Sequence, residues 1–220
     1  MPTWRYVLFQ DAISPRIEQI IFFHDHVIVI LTLIMLSILY VMIFILKAKT
    51  FNPLIREGHL LETIWTLIPS LVLIFIAFPS IKVLYITEDP KNTLTTIKAM
   101  GHQWYWSYEH PNSSSETTDV FMEETKNLRL LKCSESIKIP SNTITQVVVS
   151  SADVIHAWTV PTLATKADAV PGRLNQVFIF PKKSGLYSGQ CSEICGANHS
   201  FMPILIEANP INVFIEQDKQ

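Results

Sequence analysis

Hydrophobic positions fall into two regimes along this chain. Residues 27–46 form one uninterrupted uncharged run, VIVILTLIMLSILYVMIFIL. At about 1.5 Å per helical residue it reaches roughly 30 Å, the thickness of a bilayer's hydrocarbon core. A second run over residues 64–81, IWTLIPSLVLIFIAFPSI, lies between Glu62 and Lys82. Its Pro69 and Pro79 are tolerable in a membrane helix near its ends or at a kink. Neither run shows the polar face of a helix that packs on a soluble core. The pattern predicts two membrane spans, about 20–46 and 62–86, forming a hairpin with both termini on one side. From about Thr93 the period changes to strand-like alternation, as in TITQVVVSS, RLNQVFIF and FMPILIEA. Flanks such as IPSN, PGR, PKKSG and ANP supply turn residues, so a β-sandwich or Greek-key barrel is expected over 93–220. The polar stretch from His110 to Thr125 reads as a surface loop.

Composition supports this division. Of 220 residues, 49% are apolar and only 16% charged, against roughly 25% charged in a soluble domain. The net charge of −2 gives no basic footprint for nucleic acid. The first run starts late, follows Asp11, Glu18 and Asp25, and lacks a small-residue cleavage site, so it reads as a retained span and not a signal sequence. No Arg-rich transit peptide precedes it. Lys47, Lys49 and Arg56 in the connection, against Arg5 and Arg16 in the tail, place the loop inside and the C-terminal domain outside.

Candidate chemistry clusters near the C-terminus, in Cys191-Ser-Glu-Ile-Cys195-Gly-Ala-Asn-His199-Ser-Phe-Met202, with His156 upstream in DVIHAW. A Cys191–Cys195 disulfide, a Cys2His2 zinc site and chance clustering in a loop are competing readings. Zinc leaves the thioether unexplained, whereas copper accepts thiolate, imidazole and a weak axial methionine. A single blue-copper site would use one thiolate, so the second suggests a second metal. Two bridging thiolates, one imidazole for each metal, Met202 and a backbone carbonyl from the Cys191–Cys195 loop complete the count.

With CSEICGANHSFMP, GHQWYWSYE, DAVPGRLNQ and ETIWTLIP, nearly the whole chain resembles the subunit II family of mitochondrial cytochrome c oxidase. The resemblance implies a cupredoxin-like Greek-key domain after the two-helix transmembrane hairpin. It implies that His156 and Met202 bind one copper and that His199 and the Glu193 carbonyl bind the other, with Cys191 and Cys195 bridging. The Glu193 side chain would bind a magnesium shared with subunit I. The implied role is electron transfer from cytochrome c to haem in subunit I, where oxygen is reduced to water. The implied setting is the mitochondrial inner membrane, alongside other oxidase subunits, with the C-terminal domain in the intermembrane space.

Strand periodicity would put Trp104, Trp106 and Tyr108 on one buried face. The resemblance instead makes Trp104 the exposed electron entry, which requires a bulge or strand end there. From Glu88 onward, 14 acids against 11 Lys and Arg give a net of −3, a modest bias toward a basic partner. Glu109 and Asp153 match the family's cytochrome c docking acids. Asp119, Glu123 and Glu124 lie where the chain departs from the family pattern. Glu62 suits the first turn of a helix through the dipole, and the resemblance places it at a proton-path mouth in subunit I. His24-Asp25-His26 reads as an interfacial polar anchor and Cys133 as an inert buried thiol. Asp168 and Arg173 read as a loop ion pair, which the resemblance places near subunit I.

Other classes share parts of this pattern. Membrane-tethered copper-delivery proteins use Cys-x3-Cys but have one span and a distant histidine. Quinol-oxidase subunit II lacks the copper ligands, and nitrous-oxide reductase needs a propeller too large for this chain. A zinc-stabilised anchor is the plainest alternative.

Overall fold

The computed structural model describes residues 8–50, 52, 54, 56–88, 92–110, 117–125 and 128–217; Arg5 and residues 111–116 of the predicted polar loop lie outside them. Two compact units result, one from Gln19 to Ile86 and one combining the N-terminal stretch to Glu18 with Thr87 onward.

The first unit holds the two apolar runs, folded as α1 (Pro15–Lys47) and α2 (His59–Glu88), of 33 and 30 residues. At about 1.5 Å per residue both exceed a hydrocarbon core of roughly 30 Å. Their large apolar side chains, from Phe22 through Tyr85, are predominantly exposed. Such faces are stable in lipid or against another apolar chain. Glu18 and Glu62 occupy first turns and Lys47 a last turn, each favourable to the helix dipole. Exposed Glu62 is joined there by His59, whose ring lies 3.6 Å from it and 3.5 Å from Glu57.

Among the described residues, the second unit holds ten strands. They are β1 (Thr95–His102), β2 (Tyr105–Glu109), β3 (Thr118–Val120), β4 (Ile137–Pro140), β5 (Thr145–Ser151), β6 (His156–Val160), β7 (Thr165–Ala169), β8 (Asn175–Ile179), β9 (Gly185–Gln190) and β10 (Pro203–Asn209). They form sheets ordered β3-β2-β1-β5-β8, β4-β10-β9 and β6-β7. The β1/β5 and β4/β10 pairs are parallel, and the others antiparallel. Period-2 alternation sends Ile97, Ala99, Val147, Val149, Ile204 and Ile206 into one core around Trp106 and Trp158. A short helix, α3 (Ile211–Gln217), follows β10.

The polar stretch after His110 is not loop throughout. Thr118–Val120 adds β3 to the edge of β2, anchored by buried Val120 opposite Trp106. The N-terminal stretch is also tied down: the Ser14 hydroxyl donates to the Leu163 carbonyl, and Lys182 pairs with Glu18 at 2.7 Å. Asp168 and Arg173 form no ion pair with each other; both line a 580 Å³ cleft with Arg16, Lys166 and Phe178. Cys133 is buried, and burial together with Glu123 pushes its thiol up to about 12.

Candidate metal centre

Three segments converge on one end of the β-domain. The β6 strand starts at His156, β9 leads into Cys191, and the loop from Cys191 returns through a 3-10 turn (His199–Phe201) to Met202 and β10. Gly189 makes this approach possible, because a Cβ there would run into the Thr159 carbonyl of β6. Only a glycine lets β9 lie so close and deliver Cys191 beside His156.

All six donors expected from the sequence gather here. His156 Nδ1, Cys191 Sγ and Cys195 Sγ lie within 4.8 Å of one another and belong to buried residues. Cys191 Sγ is 3.9 Å from His156 Nδ1 and 3.4 Å from the Glu193 carbonyl oxygen. Cys195 Sγ is 3.5 Å from both His199 Nδ1 and Met202 Sδ. Each sulfur therefore has one imidazole and one weak donor beside it, so all six donors surround the sulfur pair. The three cysteines are free thiols, so the disulfide reading is not realised.

Electrostatics also suits a cation. Burial opposes ionisation of Cys191, but contacts with His156 and the backbone of Ala157 and Glu193 outweigh it and hold this thiol below its ordinary range. Cys195 is driven the other way, by burial and then by adjacent Cys191. Two touching sulfurs cannot both ionise cheaply without a positive charge between them. Soft cations that bind thiolate, imidazole and thioether together supply that charge.

The histidine is held from behind. Its Nε2–H donates to Asp153 Oδ1 at 2.8 Å, leaving the Nδ1 lone pair facing Cys191. The same carboxylate accepts from the Gln103 and Val154 amides at 2.6 Å each and lies 3.3 Å from Ser151 Oγ. The single Ser151 hydroxyl hydrogen has the Val154 carbonyl as its nearest acceptor, with the Gly101 carbonyl also within reach. Gly101 leaves room for the ring, since a Cβ there would sit 2.8 Å from His156 Cδ2.

Trp104 lies in the two-residue turn between β1 and β2, ahead of the strand alternation that buries Trp106 and Tyr108. It is half-buried against the core beside the cysteine loop. Glu193 points an exposed side chain outward from that loop. Glu109 sits at the far end of β2, paired with Lys98 at 2.9 Å. Lys132 pairs with Glu123 at 2.6 Å, while Asp119 and Glu124 are exposed.

Sequence reasoning missed the supporting residues Gly101, Gln103, Ser151 and Gly189. Glycines inside strand patterns were the available signal, since they mark close backbone approach.

Comparison with known proteins agrees with this geometry. The model for the periplasmic domain of cytochrome c oxidase subunit II matches residues 95–209, and that for its transmembrane domain matches 2–83. The chain is 48% identical over 221 residues to cytochrome c oxidase subunit 2 of Yponomeuta malinellus, covering 98% of this chain and 97% of the relative. It is 46% identical to that of Drosophila lowei, covering 98% and 96%. Among solved structures, the periplasmic domain of subunit II from Bradyrhizobium japonicum matches with a TM-score of 0.57 and 41% identity, over 59% of this chain and 94% of that one. A subunit II domain in a mixed-disulfide intermediate with a thioredoxin-like protein matches with a TM-score of 0.53 and 40% identity, over 60% and 93%. The cupredoxin-like β-domain, the two apolar helices and the sulfur-rich donor cluster coincide with near full-length identity, and the chain belongs to the copper-binding cytochrome c oxidase subunit II family, a component of an oxidoreductase complex.

Proposed function

We propose that this chain is the electron-entry subunit of the oxidase, receiving electrons from cytochrome c at a dinuclear copper centre and passing them to haem in subunit I, where oxygen is reduced to water. The observation that carries this reading is the convergence of two thiols, two imidazoles, a thioether and a carbonyl around the buried His156, Cys191 and Cys195. His156 and Met202 would hold one copper, His199 and the Glu193 carbonyl the other, with Cys191 and Cys195 between them. Copper held by these residues would supply a one-electron relay. The chain's own residues do the rest. Asp153 fixes the His156 ring, and the apolar walls of Trp106 and Met202 exclude water.

Trp104, at the turn beside the cysteine loop, is the proposed entry point. Glu109 and Asp153 are the proposed docking acids for basic cytochrome c. The exposed Glu193 carboxylate offers a magnesium ion one hard oxygen ligand, so that ion would need further ligands from subunit I. Glu62, in the first turn of α2, is proposed at the mouth of a proton path into subunit I. Residues 1–92 would form the tail and hairpin and residues 93–220 the copper domain. The insect relatives support a mitochondrial inner-membrane location with this domain in the intermembrane space.

Rapid mixing of reduced cytochrome c with the oxidised complex tests this order. The copper absorption is expected to bleach before haem in subunit I is reduced; haem reduction ahead of it would contradict the assignment.

A further inference from the structure

Trp104 and the cysteine loop meet in an unusual way. Gly196 follows Cys195 directly and has φ +131, a conformation L side chains rarely adopt. A Cβ at this glycine would lie 3.0 Å from Trp104 Cζ2, 3.2 Å from Trp104 Nε1 and 3.2 Å from Gln103 Nε2. The indole edge therefore rests on main chain one peptide link from Cys195. Its buried Nε1 has no hydrogen-bond partner among the described residues, so packing sets where the ring sits. Gln103 ties the same two segments together by donating its side-chain amide to the Cys195 carbonyl at 2.7 Å. Its own backbone N–H is held by Asp153.

We propose that Gly196 and Gln103 are positioning residues for electron entry, holding Trp104 against the main chain at Gly196, the residue that follows Cys195. Gly196 does so by lacking a side chain, and Gln103 by strapping the turn to the loop. This inference rests on the reading of Trp104 as the entry point. The coupling is through contact, so displacing the ring by a few tenths of an ångström lowers the entry rate. Misplacement of reacting groups by 1 Å costs on the order of 10²-fold, and a fraction of that shift predicts a loss of about three- to tenfold.

The test is a double-mutant cycle in the assembled oxidase, with Gly196→Ala and Gln103→Leu each made alone and in a Trp104→Phe background. Three readouts are taken: the rate of copper reduction by cytochrome c, the KM for cytochrome c, and the copper electron spin resonance spectrum. Each substitution is expected to slow copper reduction about three- to tenfold with wild-type Trp104, leaving KM unchanged, and Gln103→Leu should also leave the resonance spectrum unchanged. In the Trp104→Phe background, where the smaller ring leaves space, Gln103→Leu should slow it no further, and Gly196→Ala should slow it less than with Trp104, keeping only the part that φ +131 imposes on any side chain. Equal losses in both backgrounds would show an effect on the copper loop itself and overturn the proposal, as would no loss in either. If Trp104→Phe alone leaves copper reduction unchanged, the entry-point reading fails, and this inference fails with it.

Discussion

Replacing Asp153 with alanine separates two roles that one carboxylate can have. Its oxygens accept from His156 Nε2 and the Gln103 and Val154 amides, beside Ser151 Oγ. Hydrogen bonds to a charged acceptor contribute roughly 1.5–3 kcal/mol each in buried settings. The Asp153 side chain is 32% exposed, so water replaces part of what is lost and a simple sum would be too large. The His156 contact is the one facing the centre, and loss of such an outer partner typically costs about 10–100-fold in metal affinity. That corresponds to about 1.4–2.8 kcal/mol. Asp153→Ala should therefore release copper to a competing chelator about 10–100-fold more readily, because the imidazole is free to rotate. Asp153→Asn should fall between, since its amide oxygen still accepts from Nε2–H while its NH2 group faces the Gln103 amide. Copper retention by Asp153→Ala within about twofold of wild type, together with a raised KM for cytochrome c that salt abolishes, would refute the positioning argument. Asp153 would then act only as surface charge.

Three further outcomes follow from the geometry. Glu109→Gln frees Lys98 as an uncompensated cation, so association with basic cytochrome c should slow, and the effect should fade in stopped-flow runs as ionic strength rises beyond about 0.15 M. Gly189→Ala forces a Cβ into the Thr159 carbonyl; a loss of about 1–3 kcal/mol or more, read as a lowered midpoint of thermal unfolding, is expected because backbone cannot yield as a side chain does. Cys133 is buried and its thiol is pushed up to about 12. In the metal-free native protein at pH 7.5 an alkylating reagent should therefore modify Cys191 first and leave Cys133 unlabelled, as mass spectrometry of its peptides would show.

The large features of this fold are legible because each has a periodicity of its own. Uncharged runs of helical length gave α1 and α2, and alternation gave β5, β8 and β10. The donors of the metal cluster are legible for a different reason: five of the six lie within Cys191–Met202, so local spacing nearly assembles them, leaving His156 to be supplied from β6. What escaped the sequence depends on contacts between distant segments. Ser14 meets the Leu163 carbonyl across 149 positions, and no local pattern shows that the N-terminal stretch packs with the β-domain. Asp153 looks like any surface acid until the fold places His156 beside it. Trp104 follows the same alternation as Trp106 and Tyr108, and only the turn between β1 and β2 removes it from that face. Val120, Phe121 and Met122 are a three-residue apolar run in a polar stretch, too short to announce β3, yet the burial of Val120 opposite Trp106 fixes that edge strand. Asp168 and Arg173 are five residues apart, one at the end of β7 and one in the β7–β8 connection, and sequence proximity alone does not pair them.

The central claim is that Cys191 and Cys195 bridge two metals sharing one electron. Copper quantitation combined with the electron spin resonance spectrum of the assembled oxidase, after subtracting any copper held by other subunits, tests it most directly. Two coppers per chain with hyperfine splitting from two equivalent nuclei is the predicted result. One copper per chain with the splitting of a single nucleus would contradict it.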